Sequence, residues 1–341
     1  MPELGGDHSS VGSVNGERGG PPPPELRRVF GSYLVELGTQ DERLVVLDND
    51  SDTTTDSVQF HKRFPERFLQ MGIAEKNIFG TAAGLATVGF VPFPTIFATM
   101  ATRCALDQLT ISICYPALNV KIPGHYVGGS KAGASHIPIE DIAVMRTLPN
   151  MRVADPGDAD ELRGVMRAAL EVEGPVYFRV SKLAHPALPP AAQPFSWGKG
   201  RVVRHGADVT LFSTGMMTAV ALHAAEELAK VNIAALVVHL PSLKPFDIEL
   251  VAESAAATGA GVTVENASII GGLGSAVAET LAETHPIPLE RVGLRDKWIH
   301  SGSVEQIFAE HGLRASDIVK AANKVLARKE RAAASQRSPL T

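Results

Sequence analysis

Short, uninterrupted apolar runs alternating with helix-length segments constrain this chain most. Leu44 to Leu47 is the first such run, and others recur near Val91 to Thr95, Asn119 to Ile122, Met151 to Ala154 and Val176 to Val180. Runs this short with no polar alternation read as strands buried on both faces, which occurs in parallel sheets covered by helices. Helical patterns fall between them: Glu25 to Leu37 with Gly38 as its C-cap, Met100 to Cys114, Ile139 to Arg146 and Ala159 to Glu171. A second series follows, with strands near Val209 to Phe212, Ala234 to Val238, Gly261 to Val264 and Leu289 to Val292. Its helices run over Met217 to Lys230, Ile248 to Ala257, Gly274 to Thr284, Val304 to His311 and Ala315 to Arg328. The expected fold class is therefore α/β, in two domains, each a mainly parallel sheet with helices on both faces.

The proline-rich stretch 184–200 reads as the linker between domains 25–183 and 201–328. Residues 1–24, with Pro21 to Pro24, and residues 329–341 read as disordered ends. A chain of 341 residues that is 45% hydrophobic can bury two cores, and its net charge of −5 argues against a nucleic-acid partner. The two cysteines, Cys104 and Cys114, have no metal or redox spacing and suit a reducing compartment. No signal peptide and no unbroken membrane span are visible, so a cytoplasmic protein is expected.

One acid stands out. Glu75 opens an apolar helix, and from Ile78 to Thr102 there is no charged residue. A first-turn carboxylate is ordinary at a helix surface. An acid facing apolar surroundings, however, is costly without a polar partner. The polar loop Asp48 to Thr55 follows the first strand, at the sheet end where open α/β folds bind ligands.

Three ordered segments carry a family resemblance: GIAEKN at residues 72–77, GASHIPIEDIAVMRTLPNM at 133–151, and VTVENASIIGGLG at 262–274. They resemble motifs of the transketolase family. The first domain is similar to its pyrimidine-binding domain and the second to its C-terminal domain. Over residues 25 to 328 the chain resembles the separate C-terminal subunit of split transketolases. Nothing in it resembles the GDG…N motif of the family's N-terminal domain.

The resemblance implies the cofactor thiamine diphosphate, whose aminopyrimidine deprotonates its own thiazolium ring when an acid supports a ring nitrogen. Glu75 matches that acid, and a carboxyl group shielded from water can share a proton with the ring. Phe97 matches the aromatic wall of the pyrimidine slot, with Ile96 and Met100 beside it. Asp50 resembles a cofactor-side aspartate, with a turn-forming role as the equal alternative. His136 matches a histidine that contacts donor carbonyl and hydroxyl groups, and with Glu75 it is a catalytic candidate. His125, Arg27, Lys131 and Lys182 are substrate-side candidates. The loop 125–133 departs from the family's GEDG pattern, and Lys182 stands where the family uses arginine, which loses the bidentate fork on phosphate. Glu140 matches an acid that braces the loop. Glu265 and Asn266 end a strand before a glycine-bearing turn that resembles a nucleotide loop, but a lone turn of this kind carries little weight and packing against a neighbouring subunit is the preferred reading.

No metal ligand is expected here. Mg2+ and the diphosphate would sit on a partner subunit carrying the GDG…N motif, in an α2β2 assembly without nucleic acid or membrane. The implied activity is transfer of a two-carbon ketol unit from a small sugar or keto substrate. A 2-oxo acid or carrier-protein ketol-transfer subunit, and a non-catalytic scaffold subunit, are the alternatives.

Overall fold

The computed structural model describes residues 23–128 and 132–337. The strands are β1 (Leu44–Asp48), β2 (Phe68–Gln70), β3 (Val91–Phe97), β4 (Lys121–Val127), β5 (Arg152–Ala154), β6 (Val176–Ser181), β7 (Arg201–Arg204), β8 (Val209–Ser213), β9 (Ala235–His239), β10 (Ser242–Lys244), β11 (Gly261–Ser268) and β12 (Leu289–Leu294). The helices are α1 (Leu26–Gln40), α2 (Asp52–Thr55), α3 (Val58–Arg63), α4 (Glu75–Thr87), α5 (Ala98–Arg103), α6 (Leu106–Gln108), α7 (Asp141–Thr147), α8 (Ala159–Glu171), α9 (Met217–Ala229), α10 (Ile248–Thr258), α11 (Leu273–Glu283), α12 (Val304–His311) and α13 (Ala315–Arg337).

They form a seven-stranded sheet, ordered β10-β5-β6-β4-β3-β1-β2, and a five-stranded sheet, ordered β12-β11-β8-β9-β7. Both sheets are parallel except at one edge each. There β10 pairs antiparallel with β5, and β7 antiparallel with β9. Two short edge strands, β7 and β10, are invisible to a search for apolar runs. β10 comes from the second half of the chain yet completes the first sheet, so the two halves share a sheet edge.

β1 is flanked by β2 on one side and β3 on the other. The chain thus reverses its winding at β1, and the carboxyl ends of β1 and β3 border the crevice that such a reversal opens. Asp48, at the end of β1, is fully buried there. Its carboxylate accepts bonds from Thr95 Oγ1 (2.9 Å) on β3, Ser57 Oγ (3.2 Å), the Ser51 N–H (2.8 Å) and Gln70 Nε2 (3.2 Å). Four donors on one carboxylate hold the loop after β1 in place, as a buried charge requires.

Several boundaries differ from expectation. Gly38 is not a C-cap: α1 runs on to Gln40, and Gly38 is where Phe60 packs, 2.5 Å from where a Cβ would stand. β4 extends to Val127, so His125 lies in a strand rather than in a glycine-rich loop. The segment expected as one helix from Met100 to Cys114 breaks into α5, α6 and a π-helical turn over Leu109–Cys114. The expected disordered tail from residue 329 is helical through Arg337. Ala332 to Ala334 and the Lys, Glu and Arg residues before them are strong helix formers. The expected linker 184–200 has no regular element but is anchored: Trp197 Nε1 donates to Ala168 O (3.2 Å), and Leu188 is buried. Residues 1–22 and 338–341 of the expected disordered ends lie outside the described residues. Among the described residues no helix is long and apolar enough to cross a membrane.

Candidate functional site

Glu75 is the first residue of α4. The preceding Ala74 offers no side-chain cap; instead Asn49 Oδ1, from the loop after β1, accepts the Ala74 N–H (3.0 Å). The buried face of α4 is Ile78, Phe79, Ala82 and Ala83. Its opposite face is open: nothing lies within 4 Å of a Cβ built on Gly80 or Gly84, and Ile73 just ahead of it is 76% exposed. Glu75 sits on the shoulder between these faces, half-buried, and its carboxylate makes no hydrogen bond or ion pair among the described residues. The enclosure expected from the uncharged stretch is thus one-sided. Those apolar residues bury themselves against β3 and leave the acid at the rim.

Phe97 ends β3 half-buried, 4.9 Å from the Tyr126 ring and 5.6 Å from His136. Tyr126 and His136 are 6.1 Å apart, so the three rings form one cluster at the carboxyl edge of β3 and β4. Tyr126 adopts φ 72°, a costly conformation for a bulky residue. Lys182 Nζ lies 3.4 Å from the Tyr126 hydroxyl and 5.0 Å over its ring. Ile96 is fully buried and Met100 partly so. His136 Nδ1 shares a hydrogen bond with Ser135 Oγ (2.8 Å).

Other candidates fall differently. Asp50 is exposed at φ 58°, and its N–H donates to Gln70 Oε1 (3.1 Å), which makes it a turn residue beside the crevice. Arg27 is engaged with Glu25 (2.7 Å) and Thr54 O (3.3 Å). His125 is 2% exposed, edge-on to Phe30 at 4.7 Å, with Nε2 unpartnered. Burial first, and then the nearby Arg27 charge, push its pKa down to about 3. The substrate-side candidate His125 thus lies buried within β4 rather than on a loop. Lys131 lies outside the described residues.

The helix start after β11 is already filled. Glu265 accepts the Leu273 and Gly274 N–H groups, each at 2.7 Å, with no exposed surface. Its carboxylate occupies the anion-seeking end of α11 that a nucleotide phosphate would need. Burial outweighs these two bonds and raises its pKa to about 7. Asn266 Oδ1 instead accepts from Arg179 Nη1 (2.7 Å). Arg179 also binds the buried Asp141 through two nitrogens (2.7 and 2.6 Å), and Tyr177 donates its hydroxyl to the same carboxylate (2.6 Å). Asp155, 3.5 Å from Arg179, is pushed by burial up to about 6. This network ties α7, β6 and β11 across the two halves of the chain. In the sequence Asn266 and the motif holding Asp141 stand out, but nothing links them to the arginine inside the run 176–181.

The comparisons with known proteins agree with this architecture. Residues 23–186 match the transketolase pyrimidine-binding domain model, and residues 198–318 match the transketolase C-terminal domain model. The chain is 42% identical over 306 residues to "6-deoxy-6-sulfo-D-fructose transketolase subunit SqwH" of Clostridium sp. (strain MSTE9), covering 89% of this chain and 95% of that one. It is 35% identical to an apulose-4-phosphate transketolase subunit of Phocaeicola vulgatus, covering 87% and 96% of the two chains. A solved structure of a split-gene transketolase, described as an inactive β4 tetramer, superposes with a TM-score of 0.84 at 48% identity, over 89% and 99% of the two chains. The chain belongs to the transketolase family, and its two halves are that family's pyrimidine-binding and C-terminal domains.

Proposed function

We propose that this chain is the smaller subunit of a two-chain transketolase that moves a two-carbon ketol unit with thiamine diphosphate. The reading is carried by Glu75, a half-buried carboxylate with no partner among the described residues, placed by Asn49 at the mouth of the crevice beside β1. Relatives matched over nearly their whole length are named as transketolase subunits, which supports a division of labour between two chains.

The residues present fit the ring half of the cofactor. Phe97 offers a partly exposed aromatic face for a flat ring. Glu75 has free oxygens, so it can hold a proton against a ring nitrogen. When bound, thiamine diphosphate supplies a stabilised carbon nucleophile, and general acid support of the kind Glu75 would give is worth about 10²–10⁴-fold. His136 sits where an imidazole can donate to or accept from a donor carbonyl or hydroxyl. Lys182 would meet a terminal anion as a point charge, with Tyr126 holding its ammonium. The substrate class is therefore a short ketose with a terminal anionic group. Both a sulfonated and a phosphorylated sugar occur in the relatives' names. An N-terminal transketolase-like subunit with the GDG…N motif would hold the diphosphate and Mg2+, and the open face of α4 offers it a flat contact.

The test is reconstitution. Calorimetric titration of thiamine diphosphate and ketol-transfer assays should show weak binding and no turnover by the chain alone, and both should appear on adding the partner subunit. Robust transketolase activity from the lone chain would sink the proposal.

A further inference from the structure

A loop of the second domain reaches the segment that carries His136. Gly133, at φ 67°, has Ser301 Oγ 2.8 Å from where a Cβ would stand, so residues 133 and 301 are in direct apposition. The Trp298 ring lies 5.1 Å from the guanidinium carbon of Arg103, the last residue of α5. Arg103 in turn grips the His136 segment at both ends. Its Nη1 donates to Ala134 O (2.6 Å), and its Nε and Nη2 form a fork on Glu140, the second at 3.0 Å. Glu140 also accepts the Ile139 N–H (2.9 Å). Burial works to raise the Glu140 pKa, but the Arg103 bonds and charge and the Ile139 N–H hold it below the usual range. Inside this grip the segment makes one tight turn, in which Gly133 O accepts the His136 (3.1 Å) and Ile137 (3.0 Å) N–H groups.

We propose that Arg103, backed by Trp298 from the second domain, is a positioning residue that fixes His136 for the donor substrate. This rests on the reading that His136 meets the donor. The geometry suits the arginine fork, because a lysine ammonium is a single point charge without the planar, spread donors that here reach Glu140 on one side and Ala134 O on the other. Trp298 is 57% exposed, so it contributes little to the core. Its indole instead supplies a cation-attracting face that keeps the guanidinium in register. The second domain, which supplies none of the candidate catalytic groups, thereby shapes the donor site.

The test has two arms. In the full chain alone, amide hydrogen exchange at His136 and Ile137 should quicken by roughly 10-fold or more in Arg103→Ala, the loss expected when charged hydrogen bonds go. Arg103→Lys should restore little. Trp298→Ala should quicken exchange less, and Trp298→Phe should restore it. In the complex with the partner subunit, the probes are D-fructose 6-phosphate and 6-deoxy-6-sulfo-D-fructose as donors. There Arg103→Ala should lower kcat/KM for the donor by about 100-fold, as a displaced reacting group does, while the KM for the acceptor aldehyde holds. Unchanged exchange in both Arg103→Ala and Trp298→Ala overturns the proposal, as does a loss shared equally by donor and acceptor. Should Arg103→Ala fail to fold, the Trp298 pair decides alone. His136→Ala separates the two claims: full activity in that variant refutes the role of His136, whereas its loss beside unaffected Arg103 variants refutes only the positioning.

Discussion

Glu75 and Glu265 are both glutamates beside a helix N-terminus, one as the first residue of α4 and the other reaching α11 from β11, and the chain treats them in opposite ways. Glu265 has no exposed surface and gives both oxygens to the first N–H groups of α11. Glu75 opens α4 with no partner among the described residues, while a neighbouring loop residue, Asn49, takes over the capping. The same contrast holds between the regions around them. At the seam between the domains, Arg179, Asp141, Tyr177 and Asn266 satisfy one another out of water. Along the carboxyl edge of β1, β3 and β4, by contrast, Glu75, Phe97, His136 and Lys182 stand half-buried with capacity to spare. Committed polar groups hold the frame, and uncommitted ones at the rim are available to a ligand.

The contrast can be broken most forcefully at the seam. Arg179→Met leaves Asp141 and Asp155 buried without their cation and should cost about 3–5 kcal/mol of stability, read as a fall in the urea midpoint of the full chain. A midpoint within error of wild type would show that the seam does not hold the domains. Glu265→Gln should cost less, about 1–3 kcal/mol, because one of two buried N–H groups then faces an amide donor. That cost should vary with pH. Glu265 binds its proton more tightly folded (about 7) than at its ordinary 4.5. Its stabilising contribution is therefore full below pH 4.5 and is lost as pH rises through about 7. Denaturation midpoints of wild type and variant should converge as pH rises from 4.5 to 7; divergence would reverse the assignment. Smallest is the effect of Gly80→Ala or Gly84→Ala on the open face of α4. With no neighbour within 4 Å, each should stabilise the lone chain by about 0.5–1 kcal/mol. If that face receives the partner, the same changes should weaken assembly, measured by analytical ultracentrifugation.

The frame was largely legible in the sequence because buried parallel strands advertise themselves as continuous apolar runs. β7 and β10 did not, since each is a short edge strand whose residues alternate or carry charge. Glu75, Phe97 and His136 were singled out as candidates through their motifs, and the proposal for the site rests on them. Tyr126 was not: the glycines around it suggested a loop, whereas β4 continues to Val127 and lifts that ring into the cluster. Arg103 and Trp298 lie almost two hundred residues apart in the chain, and no local pattern links them. His125 was expected on a loop for the same reason as Tyr126, and it lies within β4, edge-on to Phe30.

On the proposed reading, Glu75 stands free of the frame in order to support the cofactor. Turnover of the complex with the partner subunit tests this most directly, with Glu75→Gln set beside wild type at saturating thiamine diphosphate. The expected result is a fall in kcat of about 10²–10⁴-fold with unchanged assembly and unfolding midpoint. A Glu75→Gln complex that turns over at the wild-type rate would contradict it.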